Sequence, residues 1–438
     1  MELNRARWEK FLIVLGVLMY LLEFPHGIHA DGFVRYDALL SFFATGHLQP
    51  MLYSYVHPMI SAPLLLLGRV FHDGFWWMSR FNTFVFLGTT FYAARSLSRI
   101  WSPETVRTFI LLMFCATMFP RHVTDYYAEV FSACLVVLAI LEFQSGRTWS
   151  GIPLICLSVW NTPGTAIAGA GLLTFFAFRS RRYRYFLAVP LLFLGIMGES
   201  YLKFGELFPG AYMTTLGAKS ISPYYAGPGF SYPFFFGVLS VFLSFGKGLF
   251  FFMPGLIGLF HRKTWGLDDK PREFVVAGTA YLAGLVLVFS RWLDWSGDWF
   301  WGPRFYLFAS ILGVMILLVL IQEENLSYPW KVFRFFATAL SIWVGCQGVL
   351  YGQDFLEDCF GKLPDAGFMC NYVPEFSALW RVFVIWPVPR GRKVAYLIYF
   401  LLVAATILWP LGRGWISKIR SEMRTLWRNY GLRSGWRA

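Results

Sequence analysis

Long runs of apolar residues recur along the chain and limit its fold more than any other feature. An α-helix needs about 20 apolar residues to cross the roughly 30 Å hydrocarbon core of a bilayer. The 438 residues are 57% hydrophobic and 14% charged, whereas a soluble domain averages about 25% charged. We therefore predict an all-α, polytopic transmembrane helical bundle. Its continuous spans are expected near residues 10–24, 76–97, 104–119, 127–143, 185–203, 274–292, 305–321, 332–350 and 396–412.

Two further apolar stretches are interrupted. Residues 151–178 contain Asn161, Pro163 and Gly164 at their centre, which predicts two short, tilted spans that meet at a polar elbow. In residues 233–260, Lys247 lies between two glycines. This segment is predicted to be either one interrupted span or a dipping segment followed by a short span. The expected total is about 12 spans.

The basic residues predict the orientation, because Lys and Arg collect in cytoplasmic loops. Placing most basic clusters on one side satisfies the alternation of spans, so both termini are predicted to be cytoplasmic. Arg390, Arg392 and Lys393 would then lie outside. The net charge of +13 reflects membrane anchoring rather than binding of nucleic acid. The cytoplasmic clusters are residues 5–10, 95–107, 179–184, 261–272, 331–334 and 413–438.

The loops define the expected organisation. Residues 1–412 are predicted to form one transmembrane domain, with a first outer loop at 25–75 and a last outer loop at 352–395. Residues 413–438 are predicted to form a basic amphipathic helix on the cytoplasmic leaflet. Cys359 and Cys370 share the last outer loop on an oxidising face, which favours a disulfide between them.

The outer loops hold the scarce acids and histidines. Five of the seven histidines, together with Asp31, lie in the first outer loop. Residues 37–43 and 59–70 of this loop are apolar at helical spacing but too short to span, so we expect juxtamembrane helices there. A second polar set follows the third span and comprises Arg121, His122, Asp125, Tyr126, Tyr127 and Glu129.

Three outer segments place a basic residue beside aromatic residues and glycine. They contain Lys219 with Tyr224, Lys247, and the run from Trp299 to Arg304. A cation beside backbone freed by glycine suits an anionic group such as phosphate, and tryptophan suits stacking against a sugar ring. An interfacial aromatic belt with snorkelling Lys and Arg accounts for each segment equally well.

The ordered set of these features resembles a polyprenyl-phosphate-sugar glycosyltransferase of the GT-C superfamily. The resemblance covers the layout of residues 1–320. Two departures are a lone Asp31 in place of an adjacent acidic pair, and no large soluble domain after the last span. The residues that carry the resemblance are the segments 31–36 (Asp-Gly-Phe-Val-Arg-Tyr), 124–129 (Thr-Asp-Tyr-Tyr-Ala-Glu), 161–164 (Asn-Thr-Pro-Gly), 244–249 (Ser-Phe-Gly-Lys-Gly-Leu) and 298–305 (Asp-Trp-Phe-Trp-Gly-Pro-Arg-Phe).

The resemblance implies a hexosyl- or pentosyltransferase that moves a sugar from a polyprenyl-phosphate donor, with inversion, to a hydroxyl of a lipid-linked glycan or glycolipid. Asp31 is the expected general base, with burial raising its pKa. Cations at Arg304, Lys247 and Lys219 would bind the donor phosphate. The residues expected to bind the sugar or the acceptor are Asp125, Glu129, His57, Trp299, Trp301 and Tyr224.

Metal dependence stays open at this stage. His26, His29, His57 and His122, with nearby carboxylates, are candidate ligands for a divalent ion such as Mg²⁺ or Mn²⁺. Their spacing matches no compact metal motif, so hydrogen-bonding interfacial histidines are the alternative interpretation.

Two other functions fit parts of the sequence. A secondary transporter or lipid flippase would place ionisable residues near the middle of the bilayer, where Asn161 and Glu199 are the candidates. A structural or assembly subunit would need none of the outer acids. For an enzyme, the absence of a retrieval signal favours a bacterial plasma (inner) membrane, with the active site on its periplasmic or extracellular face.

Overall fold

A computed structural model describes residues 2–71, 73–207, 229–266, 269–297, 299–356, 359 and 367–431. Over these residues the chain is helical, as predicted, and its one β feature is an isolated bridge between Gly27 and Asp125. The helices are α1 (Glu2–Leu18), α2 (Asp31–Thr45), α3 (Val56–Val70), α4 (Gly74–Ser79), α5 (Phe81–Leu97), α6 (Pro103–Cys115), α7 (Phe119–His122), α8 (Ala128–Gln144), α9 (Thr148–Asn161), α10 (Ala166–Ser180), α11 (Arg184–Phe204), α12 (Phe234–Leu243), α13 (Leu249–Phe252), α14 (Lys270–Phe289), α15 (Phe308–Gln322), α16 (Tyr328–Leu350), α17 (Gly367–Tyr372), α18 (Val382–Ile385) and α19 (Arg392–Gly431).

Four of these helices are long and apolar enough to cross a membrane, and the protein is an integral membrane protein. They are α11, α14, α16 and the Arg392–Arg413 part of α19. The apolar helices α3, α12 and α15 are shorter, at 10–17 residues. The expected total of about 12 spans is therefore not confirmed by helix length within the described residues.

Both interrupted stretches break where the sequence predicts. Helix α9 ends at Asn161, a 3₁₀ turn occupies Pro163–Thr165, and α10 begins at Ala166. The Asn161 amide donates to the Ala128 carbonyl at 3.0 Å and to the Ser132 hydroxyl at 2.8 Å, so the elbow is fixed from inside the bundle. In the second stretch, α12 is separated from α13 by residues 244–248, and a 3₁₀ helix follows at Pro254–Phe260.

Different ion pairs lie at the two ends of the bundle. At one end, Arg107 bonds to Glu9 at 2.6 Å and Lys263 bonds to Glu323 at 2.7 Å. These residues lie where the sequence places cytoplasmic basic clusters. The starts of α2, α8 and α15 meet at the opposite end, where most of the outer candidate residues lie. We call this the site end. Lys393, one of the three basic residues predicted to lie apart from the other clusters, pairs here with Asp354 at 3.2 Å.

The first loop contains the short helices that its apolar spacing predicts, within α2 and α3. Helix α2 is longer than expected and begins at Asp31 itself. It buries Ala38 and Leu39 while Phe33 and Phe43 stay exposed. An apolar face left uncovered beside a transmembrane bundle suits contact with lipid at the membrane surface.

The last outer loop is held by a disulfide between Cys359 and Cys370, which confirms the predicted pairing. Cys370 belongs to α17. The backbone carbonyl of the next residue, Asn371, contacts the segment before α13. This carbonyl accepts hydrogen bonds from the Gly246 amide at 2.9 Å and the Ser244 hydroxyl at 2.9 Å. The last outer loop therefore docks on the glycine-flanked segment that carries Lys247.

Helices α10 and α14 pack so closely at Gly284 that a Cβ there would collide with the backbone of Ala168. We expect Gly284→Ala to lower the free energy of unfolding by about 1–3 kcal/mol, because neither backbone can move away cheaply. Gly88→Ala is the matched control, since a Cβ at that helical position meets nothing within 4 Å. Thermal unfolding in detergent measures both variants, and equal melting temperatures would contradict the close packing.

Candidate active site

A buried ion pair between Asp31 and Arg304 lies at the centre of the site end. The Arg304 Nη1 atom donates to Asp31 Oδ2 at 2.8 Å, across a sequence separation of 273 residues. The side chain of Arg304 is 8% exposed and that of Asp31 is 19% exposed. The guanidinium also lies over the Phe300 ring, 3.7 Å from its centroid. The sequence-predicted base and phosphate ligand are thus in direct contact with each other.

The loop before α15 positions Arg304. Gly302 adopts a φ of +69°, which glycine accommodates readily, and Arg304 follows at the start of a 3₁₀ turn. Lys247 supports this loop from beneath, since its fully buried Nζ donates to the Phe300 carbonyl at 2.6 Å. Gln353 accepts a hydrogen bond from the Trp301 amide at 3.1 Å. Lys247 therefore supports the loop that carries Arg304.

Asp31 is positioned by an unusual backbone turn. Ala30 has a φ of 46° and a ψ of −123°, a conformation that costs a residue with a side chain of the order of 1–3 kcal/mol. Helix α2 starts at the next residue, so Asp31 lies in its first turn. The Tyr53 hydroxyl donates to Asp31 Oδ1 at 2.7 Å. Both carboxylate oxygens are therefore engaged, one by Tyr53 and one by Arg304.

Tyr53 was not singled out from the sequence, and neither was the network that fixes it. Lys203, from the end of α11, donates to the Tyr53 carbonyl at 3.0 Å. Arg35 lies over the Tyr53 ring and donates to the Ser54 carbonyl at 2.9 Å. Glu199, a transport candidate in the sequence, instead accepts from the Tyr55 amide at 2.7 Å. These partners are far apart in sequence, and no local pattern indicates them.

The electrostatics of Asp31 differ from the sequence-based expectation. Burial by itself raises the pKa of a carboxyl group, and a raised pKa is what the sequence leads one to expect for Asp31. At Asp31 the positive charge of Arg304, assisted by the Tyr53 hydrogen bond, outweighs burial and lowers the pKa below its ordinary value. Asp31 is therefore ionised and is held as the partner of Arg304.

Glu129 contributes a second carboxylate. It lies in the first turn of α8, and its Oε1 is 3.6 Å from Arg304 Nη1. The buried Nε of Arg304 has no hydrogen-bond partner among the residues that the structure describes. A buried cationic donor without a partner is costly, and an anionic oxygen would satisfy it.

His29 and Asp125 form a second polar group at the same end. The His29 Nδ1 donates to Asp125 Oδ1 at 2.6 Å, and Arg121 donates to Asp125 Oδ2 at 2.7 Å. Burial favours protonation of Asp125, but the His29 hydrogen bond and the Arg121 charge lower its pKa overall. The hydrogen bond to Asp125 raises the pKa of His29. Asp125 thus pairs with His29 rather than with Arg304.

The other residues predicted to bind the sugar or the acceptor differ in how far they are buried. His57 is fully buried, donates to the Asn82 side-chain oxygen at 3.3 Å and packs against Tyr126. Trp301 is also buried and packs against Phe252, whereas Trp299 is 43% exposed. Lys219 and Tyr224 lie outside the described residues.

The candidate metal ligands do not converge. Among the described residues, no group of three or more His, Cys, Asp or Glu side chains is arranged to hold a metal ion. The two ring nitrogens of His26 are hydrogen-bonded to the Phe24 carbonyl and the Thr83 hydroxyl. His29 is hydrogen-bonded to Asp125. His57 and His122 are enclosed among packed side chains. The donors present in this part of the chain do not fit Mg²⁺ or Mn²⁺, which prefer several oxygen ligands.

Comparisons with known proteins show similarity in fold alone. No family model matches the chain, and no curated protein matches its sequence. The crystal structure of ArnT from Cupriavidus metallidurans in the apo state is 13% identical, over 91% of this chain and 77% of that chain, with a TM-score of 0.48. The structure of that protein bound to undecaprenyl phosphate is 12% identical, over 92% and 77%, with a TM-score of 0.49. Similarity at this level assigns no role to any residue.

The Asp31–Arg304 pair predicts how stability depends on pH. Because the pKa of Asp31 is lowered by folding, the pair stabilises the protein above the unfolded value of about 3.9 and loses this contribution as pH falls through the folded value. Asp31→Asn should cost about 3 kcal/mol at pH 7, since Arg304 then loses a buried partner. The measurement is thermal unfolding at several pH values.

The difference in melting temperature between the wild type and Asp31→Asn should shrink under acid conditions. Asp37→Asn, an exposed change on the same helix, serves as the control and should differ little from the wild type. A difference between wild type and Asp31→Asn that stays constant with pH would show that the ion pair does not stabilise the fold.

Proposed function

We propose that this protein is an integral membrane glycosyltransferase of the GT-C type. It moves a hexose or pentose from a polyprenyl-phosphate donor to a hydroxyl of a lipid-linked glycan or glycolipid, with inversion. The reaction takes place on the outer face of the membrane, which we assign to a bacterial plasma membrane. We base this on one observation above the others, the buried Asp31–Arg304 pair at one end of a transmembrane bundle.

Arg304 has the properties of a ligand for the donor phosphate. Its guanidinium is buried and lies over an aromatic ring, and its Nε has no hydrogen-bond partner within the described part of the chain. A guanidinium binds two phosphate oxygens through parallel hydrogen bonds, and its charge counts for more where water is excluded. The phosphate departs from the sugar more readily when such a cation offsets the charge that develops on it.

Asp31 is the proposed general base. The acceptor oxygen forms a bond to the anomeric carbon, and the bond from that carbon to the phosphate oxygen breaks with its electron pair. The acceptor proton passes to the Asp31 carboxylate, and the lipid phosphate leaves as an anion. A carboxylate within hydrogen-bond reach suffices for this step, and the phosphate needs no general acid.

The pair must open for this chemistry to proceed. While Arg304 holds Asp31, the carboxylate is a weak base, because its pKa is lowered. A donor phosphate that draws the guanidinium away removes the main cause of this shift, so Asp31 becomes more basic when the donor is bound. Tyr53 keeps its hydrogen bond to the other carboxylate oxygen and holds the orientation of Asp31.

The bundle also contains a groove that suits a lipid-linked donor. An apolar groove of about 820 Å³ runs along α12, α13, the 3₁₀ helix after it and α14, with Phe234, Phe242 and Val286 among its walls. Helix α12 leads directly into the segment that carries Lys247. A polyprenyl chain in this groove would remain within hydrocarbon, and the exposed Trp299 is the proposed stacking surface for the sugar.

The transporter alternative fits these positions less well. A transporter requires ionisable groups midway along its spans. Among the described residues, Glu199 lies near the end of α11 and holds a loop, while Asn161 closes the elbow between two helices. Both polar side chains have structural partners at helix ends, which favours the transferase.

The test is Asp31→Asn in the full chain, reconstituted in lipid vesicles with a panel of polyprenyl-phosphate sugars. We expect sugar transfer to fall at least 10²-fold, since the amide cannot accept the proton. Asp37→Asn removes a carboxylate from the exposed face of the same helix and should transfer normally. Transfer by a folded Asp31→Asn variant at the wild-type rate would rule out this base, and substrate uptake without sugar transfer would favour a transporter.

A further inference from the structure

A second polar pocket opens beside the Asp31–Arg304 pair, at the same end of the bundle. It has a volume of about 260 Å³, enough for one monosaccharide-sized group. Charged side chains line it, namely His29, Arg121, Asp125, Asp354 and Lys393. Neither Asp31 nor Arg304 lines the pocket, so it is distinct from the proposed transfer site.

The backbone builds one wall of this pocket. The Gly27 amide donates to the Thr124 carbonyl at 2.8 Å, and Gly27 pairs with Asp125 in a parallel bridge. A Cβ at Gly27 would collide with the ring of His29, which folds back over this residue. Asp125 is buried, with a side chain 2% exposed, whereas His29 is 70% exposed. The imidazole is therefore fixed at Nδ1 by a buried carboxylate and is open on its other side.

The unusual turn at Ala30 separates the two sites. His29 precedes this residue and bonds to Asp125, while Asp31 follows it and bonds to Arg304. A residue with a Cβ at positive φ is uncommon and clusters at functional sites. The residues that belong to the two sites are therefore separated by a single residue, Ala30.

The charges of the pocket indicate the class of ligand. Arg121 and Lys393 each face one carboxylate, Asp125 and Asp354 respectively. Among the described residues that line the pocket these four charges balance, so protonated His29 adds one positive charge to them. The Asp125 hydrogen bond raises the pKa of His29, which extends the imidazolium form to higher pH. Its Nε2–H then serves as a donor to an anion.

We propose that this pocket binds an anionic saccharide group of the acceptor, with His29 and Lys393 as its hydrogen-bond donors. The identification of this sugar as the acceptor rests on the proposed function. The binding of an anionic sugar rests on the pocket alone. The anion is a phosphoryl-type oxyanion or a carboxylate, since both accept hydrogen bonds from an imidazolium and an ammonium.

The experiment measures binding of glucose, glucose 6-sulfate and glucuronate to the purified full chain by calorimetry. The sulfate ester keeps one negative charge at every pH used, so any pH dependence comes from the protein. We expect the sulfate, the carboxylate or both to bind more tightly than glucose, and their ranking identifies the oxyanion. Equal affinity for glucose and both anions, or no binding of any of them, would overturn the proposal.

Variants locate the binding. His29→Gln and Lys393→Met should each weaken binding of the anionic sugar about tenfold or more, the effect expected for one charged hydrogen bond. Arg390→Gln removes a charge from an exposed residue nearby and should have little effect. Unchanged affinity in His29→Gln and Lys393→Met would place the anion elsewhere, for example at Arg304, and would refute the assignment.

The pH dependence gives a second readout. In the wild type, affinity for glucose 6-sulfate should be highest while His29 is protonated and should fall as pH rises through its raised pKa. In His29→Gln this decrease should disappear. A decrease that persists in this variant would exclude His29 as the titrating group.

These measurements involve no sugar transfer, so they fail separately from the proposed function. Normal binding in Asp31→Asn, together with lost transfer, supports both proposals. If the wild-type protein binds the anionic sugar through His29 but transfers no sugar, the proposed pocket stands and the proposed transferase function is refuted.

Discussion

The attraction between one partly buried carboxylate and one buried guanidinium organises the site end of this protein. Neither Asp31 nor Arg304 is stable alone in such surroundings, because a buried charge without a partner costs several kcal/mol. Each therefore constrains the position of the other, although they are 273 residues apart in the sequence. The pair joins the start of α2 to the loop before α15 and sets the distance between them.

The rest of the site end supports this pair from two sides. On the Arg304 side, buried Lys247 holds the Phe300 carbonyl and so the loop over which the guanidinium lies. On the Asp31 side, Arg35, Glu199 and Lys203 immobilise the segment that presents Tyr53. These four charged residues, Lys247, Arg35, Glu199 and Lys203, thus form hydrogen bonds with backbone groups and hold the two segments in place.

The sequence predicted the helical class, both helix breaks and the Cys359–Cys370 bond. These depend on local composition and on spacing within a short stretch of chain. It also singled out Asp31 and Arg304, but as separate residues with separate tasks. Their contact, and hence the lowered pKa of Asp31, depends on how α2 and the loop before α15 meet in space. The part played by Tyr53 depends on partners from α11 and was beyond any local pattern.

The span count shows a different limit. Hydropathy measures how apolar a window is but not how long its helix remains regular, and α15 has only 15 residues although most of them are apolar. Lys247 was predicted to bind the donor phosphate, whereas its ammonium donates to the Phe300 carbonyl. A lysine between two glycines has the same pattern whether its ammonium faces a ligand or a backbone carbonyl.

The disulfide of the last outer loop affects residues beyond its two cysteines. It anchors α17, whose Asn371 carbonyl clamps the segment around Gly246, and that segment carries the lysine beneath Phe300. A continuous set of contacts thus runs from a redox-sensitive bond to the residue beside Arg304. Reduction of this bond would release α17 from Cys359 and weaken the support of the loop that carries Arg304.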